Sequence, residues 1–433
     1  MQFPFIYFEY FKFEYFQKSI QHLLISFLLS MASITATSAA ELVEPSARLS
    51  LHDALNLALK ANPDIAVAMR EQESVSGVKT QATLRPNPSV STFMKDTRNA
   101  TRETTLQINQ EFELGNKRDA RMAAAETLYN KAEVELENKK SEIHANVIAA
   151  FYGVLAAQER VSLAKTSLEL ANFALDAASK RVKAGKSSPV EETKSKIAES
   201  AAKVELNQAK TQLSASRKLL SGLWGSSTPV FEYADGDITA IPEVSALHEL
   251  SAGLDNAPAV KLGKIEISMR EAFTKVERSK STPNITVSAG VVNNQELGLN
   301  QALLGLSIPI PIFDRNQGRL EEAISRTYKA EDELVALKNR MGVHLAGQYE
   351  RLNAARGAAE TLRAEILPGA ESAFYAANKG FSAGKFDFLD VLDAQRTLVQ
   401  AKSQYIQALL EAHQAVAEIE RILGDVVTHH RKP

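Results

Sequence analysis

"AGKFDFLDVLDAQRTL", Ala383–Leu398, contains a helix break followed directly by an acidic, partly apolar helix start. Its glycine permits the left-handed backbone that ends many helices. About two hundred residues earlier, "AGKSSPVEE", Ala184–Glu192, repeats this arrangement, and its proline suits the first turn of a new helix. The pair predicts two helical hairpins of the same design, half a chain apart.

Three further pairs of segments keep the same order, at an offset near 200 residues. They are Ala61–Glu73 with Asn256–Ser268, Arg85–Ser91 with Thr282–Ser288, and Ile108–Arg121 with Ile308–Glu321. Matches in register indicate a duplicated chain. We therefore predict a first repeat at residues 41–225, a linker at 226–245, a second repeat at 246–424 and a tail at 425–433.

Each repeat is predicted to contain two strands, at about 88–96 and 104–113 in the first and 284–293 and 302–312 in the second. Apolar and polar residues alternate there, as in "ITVSAGV" from Ile285 and "LLGLSIPIPI" from Leu303. The polar positions are Ser, Thr, Gln, Asn and Gly rather than charged residues, which suits a barrel wall between lipid and water. A half-buried hairpin of a soluble domain would give the same alternation.

The remaining segments of each repeat are predicted to be long helices. They cover about 50–83, 116–183 and 189–222 in the first repeat, and 246–281, 316–382 and 386–423 in the second. Between Asn116 and Val182 there is no proline and a single glycine, Gly153, so this helix is a rod of roughly 100 Å. Pro368 and Gly369 predict a kink in its counterpart.

These parts predict a mainly α-helical protomer that contributes to a β-barrel. Four strands cannot close a barrel, and an open sheet edge in lipid leaves unsatisfied backbone groups. Three copies would supply about twelve strands, within the range of outer membrane barrels. Alanine and leucine recur at heptad-like spacing in Leu163–Val182, so the helices of a trimer are expected to continue the barrel as a hollow helical cylinder.

Composition narrows the class of protein further. The chain has 433 residues, a formal charge of −2 and no cysteine. Near-neutral charge gives no support for nucleic-acid binding, and the lack of cysteine excludes disulfides and a lipid-bearing N-terminal cysteine. Residues 1–40 are predicted to be a secretory signal, with a start codon assigned too early; a membrane anchor is the alternative. No later segment is expected to cross a bilayer as a helix.

The duplicated strand and helix layout resembles the TolC-type outer membrane efflux protein family over essentially the whole mature chain. "DVLDAQRTL", Asp390–Leu398, is similar to that family's signature at the periplasmic mouth. Glu111–Glu126, Ile310–Ala323 and Leu49–Ile65 resemble the CzcC-like branch, which serves cobalt–zinc–cadmium cation efflux. The resemblance implies a homotrimeric duct in the outer membrane that docks a periplasmic adaptor and a proton-driven inner-membrane pump of the resistance–nodulation–division class.

Such a duct performs no chemistry, so neither a catalytic residue nor a cofactor is expected, and no nucleophile–base pair or phosphate-binding loop is present. Two other functions stay open. The same fold could export drugs or secreted proteins. A periplasmic coiled-coil scaffold that never enters the membrane would share the helices but would not need the alternating strands.

Asp390 and Asp393 lie three residues apart, on one helix face. In a trimer they would form a ring of carboxylates, a recurring cation-selective device. The alternative is helix capping, because acids in a first turn favour the helix dipole. Glu191 and Glu192 are their first-repeat counterparts, and for them capping is the stronger interpretation.

Two further features of the hairpin ends follow from the resemblance. Phe381 and Phe386 match the aromatic and basic positions that hold the family's mouth closed, and the absent arginine predicts hydrophobic closure instead of polar contacts. The adaptor is expected to bind the turns, at Lys183, Gly185, Lys186, Ser187, Gly384 and Lys385. The alternative for Gly185 and Gly384 is a purely structural role in forming the turn.

Histidines are the remaining candidates for metal contact. His144 and His344 differ by 200 positions, so they are equivalent in the two repeats and could form a belt in a trimer. Packing is the alternative, because His144 shares a helical stripe with Ile148 and Phe151. His429 and His430 could bind metal or belong to a solvated tail.

Overall fold

The structure is a computed structural model and describes residues 44–424, apart from the side chain of Phe388. The predicted signal segment at 1–40 and the His429–His430 pair lie outside the described residues.

The chain forms two similar halves. The first contains β1 (Arg48–Ser50), α1 (Leu51–Ala61), α2 (Pro63–Ala82), β2 (Ser89–Lys95), β3 (Glu103–Phe112), α3 (Lys117–Lys183) and α4 (Pro189–Gly222). The second contains β4 (Tyr233–Asp235), α5 (Leu247–Gly253), a 3₁₀ turn (Leu254–Asn256), α6 (Pro258–Ser279), β5 (Ile285–Asn294), β6 (Leu299–Ser307), α7 (Gln317–Thr361), a π-helical turn (Leu362–Ile366), α8 (Leu367–Ser382) and α9 (Phe388–Leu423). The predicted fold class, mainly helical with four sheet strands and very long helical hairpins, is confirmed.

Both helices that were predicted to lead into the strands are interrupted by proline. Asn62 precedes Pro63 and has an extended backbone with ψ 126°, and its side chain accepts a hydrogen bond from the N–H of Ile65 at 3.0 Å. Ala257 precedes Pro258 with ψ 142°. Proline disfavours helical geometry in the residue before it, so the predicted spans 50–83 and 246–281 each break at the same place in the repeat.

The predicted kink in the second long helix takes the form of a π-helical turn. It spans Leu362–Ile366 and is closed by a hydrogen bond from the N–H of Leu367 to the carbonyl of Leu362. Pro368 follows directly and lacks the N–H that a regular helix would use. The π-helical turn therefore lets the helix continue through a residue that cannot donate.

The four long strands form one antiparallel sheet in the order β2-β3-β5-β6. β3 and β5 pair along their whole length, from Glu103 opposite Asn294 to Phe112 opposite Ile285. β6 ends at Ser307, five residues before its predicted end at 312, because Pro309 and Pro311 cannot donate to a strand ladder. β2 and β6 are the two edges of the sheet, so the barrel is not closed within one chain.

The long helices pack side by side around α3, which has 67 residues. Its N-terminal part forms ion pairs with α2 and α6, and its C-terminal part forms hydrogen bonds with α4 and α9. α7 packs on α6 and α9. The helices thus form a layer. In the half of this layer near the sheet, α2 and α7 are the outermost helices. In the half near the hairpin ends, α4 and α8 are the outermost helices.

The main hydrophobic core lies midway along α3, where the linker crosses it. Phe151, Phe231 and Leu220 are almost completely buried there, and burial of each such side chain contributes about 1.5–3 kcal/mol. β1 and β4 form an unpredicted two-stranded parallel sheet beside this core. The Glu44 carboxylate, at the start of the described chain, accepts hydrogen bonds from the indole N–H of Trp224 at 3.1 Å and from the backbone N–H of Val230 at 2.8 Å. These bonds fix the segment before β1 against the linker.

Within the described residues, α3 is the one helix with a window long and apolar enough to cross a membrane, contrary to the expectation of none, and 56% of that window is buried inside the protein. Its apolar character is explained by packing in the core.

Candidate functional site

The sheet has one strongly apolar face. Val90, Leu106, Ile108, Val291, Leu304 and Leu306 all point to this face, as their cross-strand register requires, and all are more than half exposed. An exposed apolar surface of this extent on a sheet marks contact with lipid or with another protein. The position of these side chains agrees with the predicted lipid-facing wall.

The opposite face carries amides and hydroxyls. Asn109 is its centre, donating to Ser91 Oγ at 2.9 Å and accepting from Ser288 Oγ at 2.7 Å and from Gln107 Nε2 at 3.0 Å. Asn109 thus joins three neighbouring strands. By the same register, Glu111 lies on this face near the helices, and the Lys95–Glu103 ion pair lies on it at the far end. The face is therefore polar throughout and suited to contact with water.

Apolar side chains also occur on this second face, which the sequence patterns did not predict. Phe93 and Val292 lie on either side of Thr105 in the strand register, and Phe93 is 58% exposed. They lie toward the ends of their strands farthest from the helices.

The two hairpin turns have the same hydrogen-bonding pattern. At the first turn, the N–H of Gly185 donates to the carbonyl of Val182 at 3.0 Å and that of Lys186 to Arg181 at 2.9 Å. At the second, Gly384 and Lys385 make the equivalent bonds at 2.9 and 2.8 Å. Both glycines have positive φ, 65° and 73°, which makes each turn a Schellman motif. Gly185 and Gly384 therefore have the structural role proposed as the plain alternative.

The remaining residues predicted to dock an adaptor lie on the surface of these turns. Lys183, Lys186 and Lys385 are exposed. Ser187 is half-buried and accepts a hydrogen bond from the Nε of Arg181 at 3.1 Å. The turns thus present three lysines around two tight backbone loops.

The start of α9 separates the roles of the two predicted aspartates. Asp387 and Asp390 form a capping box, in which the Asp390 carboxylate accepts the N–H of Asp387 at 3.0 Å. Asp393 is exposed and lies one turn further on. Asp390 therefore has the capping function that was the alternative, and it remains exposed together with Asp393 on the outside of the helix start.

Phe381 joins the two hairpins. It is 7% exposed and packs with Ala174 of α3 and with Ala377 and Val391, while the guanidinium carbon of Arg181 lies 4.8 Å from its ring centroid. The expectation of closure through Phe381 without an arginine is incomplete, because an arginine of the other hairpin occupies the face of this ring.

Phe386, by contrast, packs within its own hairpin. A Cβ atom added to Gly380 would lie 2.1 Å from the Cδ2 atom of Phe386, so the ring rests directly on the glycine backbone. The Phe386 side chain is still 47% exposed. The absence of a side chain at Gly380 thus lets the aromatic ring cover the last turn of α8.

The first-repeat glutamates differ from each other. Glu192 accepts a hydrogen bond from the Ser179 hydroxyl at 2.8 Å, which links α4 back to α3. The backbone carbonyl of Glu191 accepts from Ser195. Both residues lie in the first turn of α4, as the capping interpretation requires.

The two histidines do not form a metal site in one chain. His344 lies on the surface with its Nε2 atom 3.4 Å from Glu418 Oε1, and the hydrogen bond from Arg421 holds the pKa of Glu418 below its ordinary value. His144 is half-buried. Within residues 44–424, no group of three or more His, Cys, Asp or Glu side chains could hold a metal ion.

Sequence reasoning missed His413 and Arg181. His413 is 1% exposed, stacks on Tyr152 at 3.5 Å between ring centroids and has its Nε2 atom 2.8 Å from the carbonyl of Ile238. It connects α9 to α3 and to the linker. A lone histidine in an alanine-rich helix was the available signal, but its partners are distant in the sequence.

The comparisons with known proteins all point to one family. The model of the outer membrane efflux protein family matches the chain twice, at residues 54–226 and 250–425. The chain is 44% identical over 381 residues to the cobalt-zinc-cadmium resistance protein CzcC of Cupriavidus metallidurans, covering 88% of this chain and 91% of CzcC.

More distant relatives extend the comparison. The nickel-cobalt-cadmium resistance protein NccC of Alcaligenes xylosoxydans is 25% identical over 233 residues, which is 54% of this chain and 53% of NccC. The solved structure of CusC, described as forming a transmembrane channel, matches with a TM-score of 0.75 at 16% identity, covering 86% of this chain and 92% of CusC. The fold of the chain is therefore that of the structurally known outer membrane channels.

Proposed function

Because the chain belongs to the outer membrane efflux protein family, we propose that it is the outer membrane channel of a system that exports divalent heavy-metal cations. The observation that carries this proposal is the 44% identity to a cobalt-zinc-cadmium resistance protein along 91% of that relative. The substrates are therefore expected to be Co²⁺, Zn²⁺ and Cd²⁺, with Ni²⁺ suggested by the more distant relative.

The two-faced sheet supports insertion into a membrane. Its apolar face is exposed in the single chain, whereas its polar face is satisfied by hydrogen bonds among Asn109, Ser91 and Ser288. A periplasmic scaffold would have no use for an exposed row of Leu304 and Leu306, which are 84% and 66% exposed. In a barrel, lipid covers the apolar row and water fills the polar side.

The open edges of the sheet support a homotrimer. In hydrocarbon, β2 and β6 would leave their outer backbone groups without partners. Pairing β6 of one copy with β2 of the next closes the ladder, and three copies give about twelve strands.

Two margins of the helical layer carry apolar stripes of the same spacing, one on α4 near the hairpin ends and one on α7 near the sheet. On α4, Val190, Ile197 and Val204 recur every seventh residue and are 59%, 64% and 56% exposed. On α7, Tyr328 and Val335 keep the same spacing and are 62% and 60% exposed. A heptad stripe on the outer side of a helix is suited to coiled-coil packing against another helix, and neighbouring copies would supply it.

The hairpin ends suit contact with a periplasmic adaptor and, through it, with an inner-membrane pump. Three lysines and two Schellman turns are exposed there, and Asp390 and Asp393 lie on the adjoining helix start. In a trimer the aspartates would form a ring at the mouth, where they would attract cations. Metal selection is expected to lie with the pump, because within residues 44–424 no group of three or more His, Cys, Asp or Glu side chains could hold a metal ion.

Cell fractionation tests the membrane part of this proposal. We expect the protein in outer membrane fractions as a trimer that resists detergent until heated. A soluble, elongated monomer in the periplasm would favour the scaffold instead. Loss of tolerance to dyes and detergents but not to metals on gene deletion would favour the drug-export alternative.

A further inference from the structure

An apolar cavity lies where the sheet meets the helices of the first half. It has a volume of about 750 Å³ and is formed by α2, α3, α6 and the segment that leads into β2. Apolar side chains dominate its wall, among them Val78, Ala82, Leu84, Leu128 and Phe273. Arg85 and the Glu113–Arg121 ion pair form its polar rim. A cavity of this size with apolar walls is suited to an apolar side chain.

A matching apolar segment follows the opposite edge of the sheet. After β6 ends at Ser307, the chain continues through Ile310, Ile312 and Phe313, which are 79%, 61% and 90% exposed. Phe313 is therefore almost entirely exposed within one chain. Exposed apolar patches of this kind on a folded chain mark a contact surface.

The strand order places the two features side by side in neighbouring copies. β6 runs toward the helices and β2 runs away from them, so the two edges can pair as antiparallel strands between copies. The segment that follows β6 in one copy then runs beside the segment that precedes β2 in the next. That segment contains Leu84 and Arg85, which belong to the cavity.

The duplicated halves differ at the position of Phe313, although Phe112 of the first half is also 51% exposed. With Ile108 aligned to Ile308, the position of Phe313 is occupied in the first half by Glu113. Glu113 forms an ion pair with Arg121 at the cavity rim, and this pair holds the strand-to-helix junction within one chain. The second junction instead presents an apolar group outward, followed by Asp314, whose negative charge complements Arg85.

We propose that Phe313 of one copy inserts into this cavity of the next copy and holds neighbouring subunits together at the end of the barrel nearest the helices. The proposal rests on the trimer of the proposed function. It assigns the cavity to a second copy of this chain rather than to lipid, and it predicts one such contact at each of the three subunit boundaries.

Cysteine cross-linking tests this contact, because the natural chain contains no cysteine. The full-length variant Phe313→Cys/Val78→Cys is oxidised with diamide in outer membranes and analysed on denaturing gels without reductant. We expect covalent dimers and trimers. The matched control is Phe313→Cys/Ser76→Cys, because Ser76 is on the same helix but does not line the cavity; it should give less than a tenth of the product.

Filling the cavity is the second test. A Cβ atom at Gly77, which lines the cavity, would meet no atom within 4 Å, so the backbone there tolerates a side chain, and the indole of Gly77→Trp is expected to occupy the space for Phe313. We expect Gly77→Trp and Phe313→Ala to lower the temperature at which the trimer dissociates in detergent by several degrees, and Gly77→Ala to leave it unchanged.

The outcomes separate the two proposals. A stable wild-type trimer in which the Val78 and Ser76 variants cross-link equally, and in which Gly77→Trp has no effect, would overturn the contact and leave the channel intact. A wild-type protein that is monomeric in the outer membrane would overturn both.

Discussion

The guanidinium carbon of Arg181, at the end of the first hairpin, lies 4.8 Å from the ring centroid of Phe381, at the end of the second. The same arginine donates to Ser187 in its own turn. The contact therefore connects two hairpins that are about two hundred residues apart in the sequence, at the end of the molecule where the mouth is expected.

Removal of the Arg181–Phe381 contact should favour the open form of the periplasmic mouth. Cation–π contacts contribute about 0.5–2 kcal/mol, and 1.4 kcal/mol changes an equilibrium tenfold. We expect Arg181→Ala and Phe381→Ala each to increase the mean single-channel conductance in planar bilayers, and Arg181→Lys to do so less. Lys180→Ala is the control, because Lys180 pairs with Asp176 on its own helix. Equal conductance in Arg181→Ala and Lys180→Ala would show that the contact does not restrain the mouth.

Gly380 should resist substitution. A methyl group at Gly380 would lie 2.1 Å from the Phe386 ring, whereas one at Gly369 in the same helix would meet no atom within 4 Å. We expect Gly380→Ala to speed amide hydrogen exchange at the second turn, and Gly369→Ala to leave it unchanged. Adding Phe386→Ala to Gly380→Ala should remove the clash, although the packing of the ring is lost. If Gly380→Ala and Gly369→Ala behave alike, the ring does not depend on the glycine.

The two aspartates should separate into a structural and an electrostatic role. Asp390→Ala removes an acceptor of the capping box, so we expect faster hydrogen exchange at the start of α9, consistent with a loss of about 1 kcal/mol. Asp393→Asn removes charge without removing a cap.

Block of the channel by multivalent cations measures the electrostatic role. We expect Asp393→Asn to raise the block constant of a trivalent cation such as hexamminecobalt, and the Asp390→Ala/Asp393→Ala double variant to raise it further. A block constant that is unchanged in both variants would leave Asp390 with its capping role alone and Asp393 without an electrostatic role at the mouth.

The ion pair between Glu113 and Arg121, at the junction of β3 and α3, should make the thermal stability of the protein depend on pH. Hydrogen bonds from Arg121 hold the pKa of Glu113 below its ordinary value of 4.5. A lowered folded-state pKa contributes stability that is present above 4.5 and is lost as the pH falls through the folded-state value. We expect Glu113→Gln to be less stable than wild type at pH 7 by about 1–2 kcal/mol, with the difference shrinking toward pH 3.

Thermal dissociation measured at both pH values tests this expectation. Glu322→Gln is the control, because Glu322 pairs with Arg326 on an exposed helix surface and such pairs contribute little. A difference for Glu113→Gln that is the same at pH 7 and pH 3 would contradict the assigned cause.

The sequence is informative wherever a contact is local or periodic. The alternation around Ile285 and Leu304 predicts the strands, and Gly185 and Gly384 predict the two turns. Prolines explain the deviations: Pro63 and Pro258 interrupt helices, and Pro309 and Pro311 shorten β6. These corrections arise from the missing N–H and the restricted preceding residue, which are also local effects.

Contacts between distant segments could not be predicted in this way. The position of Arg181 over Phe381 depends on how two hairpins are rotated against each other, and that rotation is set by many small side chains such as Ala174 and Ala377. Likewise, the Glu44 carboxylate reaches Trp224 and Val230 across 180 or more positions. Neither pair shares a pattern in the sequence that marks it as a contact.

The most direct test of the central claim is metal tolerance in the native host, with the partner pump and adaptor expressed. The gene is deleted and then restored on a plasmid, and minimum inhibitory concentrations of Zn²⁺, Co²⁺ and Cd²⁺ are compared with those of dyes and detergents. We predict at least a fourfold loss of tolerance to the metals in the deletion strain, recovery with the restored gene, and little change for dyes and detergents. Unchanged tolerance to all three metals in the deletion strain would contradict the proposed function.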